Sequence, residues 1–96
     1  MELPTSRSFV PYLHATFRVE RPVALDLELT DVRDLSNPQL EQFSLTFAGP
    51  LSPSLPQGTY SLQPPQREEL SLFLVPLGPR GDAMIYEAVF TRFPAN

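Results

Sequence analysis

Apolar residues recur at every second position along most of this chain, and a period of two marks half-buried β-strands. Thr16–Glu20 alternates Phe17 and Val19 with polar partners. After the turn Arg21-Pro22, Val23–Leu29 alternates more regularly, with Val23, Leu25, Leu27 and Leu29 on one face and Asp26 and Glu28 on the other. Val32 then falls on the wrong parity, which predicts a β-bulge near Thr30–Asp31. Asp34–Gln42 is polar, contains Asn37-Pro38, and is expected to be a loop. Phe43, Leu45 and Phe47 form the next inward face, ended by Gly49-Pro50. Leu51–Gly58, with two prolines and a glycine, is expected to be a connector, and Thr59–Gln63 a strand with Tyr60 and Leu62 inward, stopped by Pro64-Pro65.

Two later stretches are apolar on both faces. In Glu69–Gly78, Leu70, Leu72 and Leu74 share one face while Phe73 and Val75 take the other. In Ala83–Phe93, Met84, Tyr86, Ala88 and Phe90 oppose Ile85, Val89 and Phe93. Pro76 is expected to end the ladder of the first stretch, Gly78–Asp82 to form the turn, and Gly58 to supply a positive φ before Tyr60. Phe9–His14 alone suggests a helix, with Ser8 as its cap, Pro11 in its first turn, and Phe9 and Leu13 on one face. The expectation is one all-β domain, a small antiparallel barrel or sandwich of about six strands with one short N-terminal helix. Residues 1–8 form an irregular lead-in, 9–14 the helix, 15–93 the β-domain and 94–96 a tail. The inward set is expected to include Phe17, Leu25, Leu27, Phe43, Leu45, Phe47, Tyr60, Leu72 and Tyr86.

Composition narrows the function classes. The chain has 96 residues and no cysteine, so disulfides and thiolate metal sites are excluded. A net charge of −4 disfavours nucleic-acid binding, which needs cations to neutralise phosphate. All 7 basic residues are arginine. The 12 prolines are spread without a repeat, at intervals that suit strand ends and blunted sheet edges. No apolar run approaches the ~20 residues that span a bilayer. Met1-Glu2-Leu3-Pro4 shows no signal peptide, which makes the cytoplasm the default location, with release as part of an extracellular assembly as the other route.

Candidate chemistry is sparse. His14 is the only histidine, and no spacing supplies it with a nucleophile or further ligands; it is expected to end the short helix, where an imidazolium suits the dipole. Asp26, Glu28, Asp31 and Asp34 are acidic neighbours without calcium-loop spacing and are expected to form a solvated strand face. Glu68 and Glu69 are adjacent, so on an extended strand they point to opposite faces and make a poor acid–base pair. Glu87 stands in an apolar strand and is expected to pair with Arg18 or Arg92. Arg80-Gly81-Asp82 matches the tripeptide of integrin ligands, but Gly-Asp is ordinary turn chemistry.

Leu55-Pro56-Gln57-Gly58-Thr59-Tyr60, Leu72-Phe73-Leu74-Val75-Pro76-Leu77-Gly78 and Tyr86-Glu87-Ala88-Val89-Phe90 together give the pattern LPQGTY, LFLVPLG and YEAVF. With Phe43-Ser44-Leu45 and Gly49-Pro50 before them, these motifs resemble a family of small uncharacterised bacterial β-domains, over about Phe9–Phe90. The resemblance implies no enzymatic activity. It extends to proteins encoded near phage-tail-collar-like and fibre-like proteins, and so implies a structural or assembly role. Pro65-Gln66-Arg67 stands where that pattern has a glycine-containing turn, and Thr91–Asn96 runs past its end.

These observations predict a protein that is not an enzyme and needs no cofactor or metal. The leading expectation is a subunit or adaptor of a tail-like, fibre-like or filamentous assembly that contacts itself, and a tail-like or fibre-like protein, but neither nucleic acid nor membrane. The alternative is a small binding domain for a peptide, glycan or small ligand. A small sheet domain buries one face and wets the other. The doubly apolar final strands therefore predict a covered surface at Phe73, Val75, Ile85, Val89, Arg92 and Phe93. The last strand is also expected to offer an edge for pairing with a neighbouring chain.

Overall fold

A computed structural model describes residues 6–92, with the side chain of Arg92 outside the description. Six antiparallel strands close into a barrel: β1 (Thr16–Val19), β2 (Leu25–Asp34), β3 (Glu41–Pro50), β4 (Gly58–Gln63), β5 (Leu70–Arg80) and β6 (Ala83–Arg92), in the order β1-β2-β3-β6-β5-β4. The all-β expectation holds. The barrel interior is filled by the alternating sets, with Phe17, Val19, Leu27, Leu29, Leu45, Phe47, Leu62, Leu74 and Tyr86 fully buried. Leu25, Phe43 and Leu72 join them as expected, whereas Tyr60 is only half-buried against the core.

The bulge lies where parity placed it. Leu29 opposes Phe47 and Asp31 opposes Thr46, so Thr30 is the extra residue. The inserted residue returns Val32 to the inner face, and β2 therefore runs on to Asp34, opposite Phe43. The loop expected over Asp34–Gln42 shrinks accordingly to the turn between β2 and β3.

The helical segment begins earlier than expected. An α-turn spans Ser6–Phe9 and a 3-10 turn Val10–Tyr12. Ser8 is inside the helix rather than its cap, and Pro11 falls beyond the first turn, where its missing N–H ends the α pattern and leaves the tighter 3-10 turn. Leu13 is exposed and does not share the buried face of Phe9. Phe9 instead plugs one end of the barrel. Its ring lies 5.9 Å from both Phe43 and Phe90, which stack on each other at 4.5 Å.

Strand β5 also departs from expectation. Pro76 does not end it, and Gly78 does not start the turn: the ladder to β6 continues through Pro76–Tyr86, Gly78–Ile85, Pro79–Met84 and Arg80–Ala83, with a bulge at Leu77 and Gly78 at φ 115°. The turn is only Gly81-Asp82, with Gly81 at φ 63°, a positive angle that glycine adopts at little cost. Gly58 does not need such an angle, since the positive-φ glycines are Gly78 and Gly81.

The prolines of β5 have a positional logic. Alternate residues of a strand direct their N–H and C=O groups to opposite sides. The Thr46 and Gln42 carbonyls of β3 accept from Thr30 Oγ1 at 3.2 Å and the Leu35 N–H at 2.7 Å, so the even-numbered residues of β3 face β2. Phe43, Leu45 and Phe47 therefore face β6 and bond Phe90, Ala88 and Tyr86 across the ladder. The alternate β6 residues, Ile85 and Glu87, face β5 and bond Gly78 and Val75. Pro76 and Pro79 thus direct their nitrogens away from the ladder, onto the side of β5 that β4 leaves uncovered beyond Leu74. A missing N–H costs no ladder bond there and blunts an exposed edge.

Candidate contact face on strands 4 to 6

The outside of the barrel is divided by charge. The β1–β2 sector carries Arg18, Asp26, Glu28, Asp31 and Arg33, and its charges answer one another. Arg18 donates to Asp26 at 3.0 Å and to Glu20 at 3.3 Å, His14 lies 3.0 Å from Glu28, and Arg33 lies 3.6 Å from Asp31. The Arg18 guanidinium is held above its ordinary range first by the hydrogen bond to Asp26 and then by Glu20. Asp34 is held below the usual carboxylate range, first by the Ser36 backbone N–H, which donates at 2.9 Å. The acidic stretch is therefore an exposed, internally paired strand face as expected, and no cluster of potential metal ligands occurs among the described residues.

His14 does not simply end the helix. It follows the 3-10 turn in a left-handed conformation (φ 70°), and its N–H donates to the Leu29 carbonyl at 2.6 Å, tying the segment before β1 to β2. Glu87 is half-buried on the outer face between Thr46 and Val75. It does not pair with Arg18, which is engaged on β1–β2; the side chain of Arg92, the other expected partner, lies outside the described residues.

The opposite sector reads differently. Up to the β5 bulge the exposed or half-buried outward positions of β4, β5 and β6 are Thr59, Ser61, Gln63, Ser71, Phe73, Val75, Glu87, Val89 and Thr91, with one carboxylate among uncharged side chains; beyond the bulge Arg80 is outward and exposed at the hairpin end. Phe73 is 50% exposed and Val89 49%, while Leu77 on the bulge reaches 54%. Of the expected contact residues, Phe73 and Val89 are therefore open and Val75 is half-buried. Ile85, at 8% exposure, is buried outside the main core cluster and offers little contact area. Arg92 ends β6 opposite Glu41, but its side chain, like all of Phe93, lies outside the described residues. Strand β6 is paired on both sides only from Ala83 to Glu87; beyond Glu87 β3 alone pairs with it, so the edge expected of the last strand is confined to residues 88–92. Its exposed large apolar residue, Val89, lies on the outer face within that stretch.

Sequence reasoning missed Leu55. This connector residue is 2% exposed, and its N–H donates at 2.8 Å to the hydroxyl of the fully buried Tyr86. A lone leucine between prolines carries no periodic signal, and its partner is 31 residues away. Arg80-Gly81-Asp82 is exposed at the β5–β6 hairpin tip, where glycine serves the turn.

The family model for a domain of unknown function, DUF6916, matches residues 4–90. The chain belongs to this family. The DUF6916 match spans all six strands up to Phe90 and so coincides with the barrel. Comparison with curated proteins and with solved structures gives no match. No helix among the described residues is long and apolar enough to cross a membrane.

Proposed function

We propose that this DUF6916 domain is a non-enzymatic assembly module, a subunit or adaptor that joins copies of itself through the outer face of β5 and β6. One observation carries the reading: Phe73 and Val89 stand half-exposed on an almost uncharged sheet face, while the ion pairs lie on the opposite sector. Large apolar side chains grouped on an otherwise uncharged surface favour association over solvation. The resemblance to domains encoded beside tail-collar-like and fibre-like proteins supports a place in a tail-like, fibre-like or filamentous structure, with a protein of that kind as second partner. A photo-crosslinking residue at position 73 is expected to yield covalent dimers, and the same residue at position 26, on the charged sector, is expected to yield none. Equal yields from both positions would remove the basis for this face.

A further inference from the structure

The β5–β6 ladder stops at Val75–Glu87, yet both strands continue, β5 back to Leu70 and β6 on to Arg92. Each has its far side occupied there: β4 pairs with β5 from Leu70 to Leu74, and β3 pairs with β6 to Arg92. Their near sides face each other across a seam that no ladder closes. The alternation established above fixes which groups line it. Val75 and Glu87 bond across the last rung, so Phe73 and Ser71 of β5, and Val89 and Thr91 of β6, direct their N–H and C=O groups into the seam. All four residues are exposed.

We infer that this seam is a strand-acceptor site for an extended, basic segment of a partner chain, bound by backbone hydrogen bonds. The inference deepens the assembly reading by naming the partner's chemistry, and it rests on that reading only in taking this face as a contact surface. A contrast within the fold supports it. The other open edge of β5 is blunted by Pro76 and Pro79, whereas Leu70–Val75 and 88–92 contain no proline and keep every donor.

Charge complementarity identifies the occupant. Glu69 stands just before β5 and Glu87 at the last rung, so two carboxylates bracket Phe73 and Val89. Neither has an ion-pair partner among the described residues, unlike Asp26, Glu28 and Asp31 of β2. Glu69 precedes Val75, the partner of Glu87, by six positions (75 − 69), or about 20 Å at roughly 3.3 Å per residue. That rung is closed, so a segment in the seam runs from Glu69 to the level of Phe73: a cation beside Glu69 and a second four residues on, whose side chain extends along the strand to Glu87, with a small apolar residue between them, fit this spacing. The apolar residue and the stem of the second cation would meet Phe73 and Val89, and the backbone would bond the seam.

The test uses a fluorescein-labelled peptide, Lys-Ala-Val-Ala-Lys, with fluorescence anisotropy on the full chain. Saturable binding is expected. It should weaken at least tenfold when alternate peptide nitrogens are methylated, which keeps charge and side chains but removes backbone donors. The Glu69→Gln/Glu87→Gln double variant should weaken it to a similar degree. Absent binding overturns the inference, and so does binding indifferent to methylation, which would be charge attraction alone. Light scattering on the same samples separates the two readings. A monomer that binds the peptide in this way sustains the acceptor site and defeats self-assembly; an oligomer that fails the methylation test does the reverse.

Discussion

Tyr86→Phe removes one oxygen from the centre of the barrel. Tyr86 is fully buried on β6, and its hydroxyl accepts the Leu55 N–H at 2.8 Å. Leu55 is itself 2% exposed, so the freed donor has no ready access to water. An unsatisfied buried donor costs about 1–3 kcal/mol, partly offset because phenylalanine is cheaper to bury than tyrosine. The net expectation is a loss of roughly 1–2 kcal/mol. With an m value of about 1 kcal/mol/M, the urea midpoint should fall by roughly 1–2 M. Amide exchange at Leu55 should accelerate more than at neighbouring strands, because this bond tethers the connector. Tyr60→Phe is the control. The Tyr60 hydroxyl donates to the Pro56 carbonyl at an exposed site, so its loss should cost within about 0.5 kcal/mol. Equal midpoints for Tyr86→Phe and wild type, or a larger loss from Tyr60→Phe, would refute the assignment of the buried bond as the connector's anchor.

Further expectations concern packing, titration and chemistry. Gly49→Ala would place a Cβ 2.6 Å from Leu27 Cδ2 and 3.6 Å from the Tyr86 ring, in a core where neither can retreat to solvent; a cost of about 1–3 kcal/mol in urea denaturation is expected, and a neutral result contradicts the packing. The Asp34 carboxylate, held low by the Ser36 N–H, contributes stability that is present above the ordinary aspartate range and is lost as pH falls through its depressed folded value. Carboxyl carbon NMR should place its midpoint below about 3.9; a midpoint at or above that range counts against the bond. Pure protein should turn over no ester, phosphate or glycoside panel, and reproducible turnover lost in His14→Ala or Glu87→Gln would overturn the non-enzymatic reading.

Much of the fold was legible because half-buried strands write themselves as a period of two. Even the bulge at Thr30 was legible, since Val32 could reach the core in no other way. The continuation of β5 past Pro76 was not, because proline is tolerated where its nitrogen faces an open edge, and that depends on where β4 stops. The helix start was misplaced because Ser8 resembles a cap while the docking of Phe9 on Phe43 and Phe90 is a tertiary matter. At the candidate face, the exposure of Phe73 and Val89 followed from strands apolar on both sides. The burial of Ile85 and the parting of β5 from β6 did not, because both depend on how neighbouring ladders diverge.

Self-association through the β5–β6 face is tested most directly by light scattering during size exclusion, with wild type and Phe73→Glu compared over a concentration series. The substituted side chain is half-exposed on the outer face, so the barrel should fold unchanged, as circular dichroism can verify. The expected result is a wild-type mass that is a multiple of the 10.8 kDa chain and a variant shifted to the single chain. A wild type that stays monomeric at high concentration, or an oligomer indifferent to the glutamate, would contradict the account.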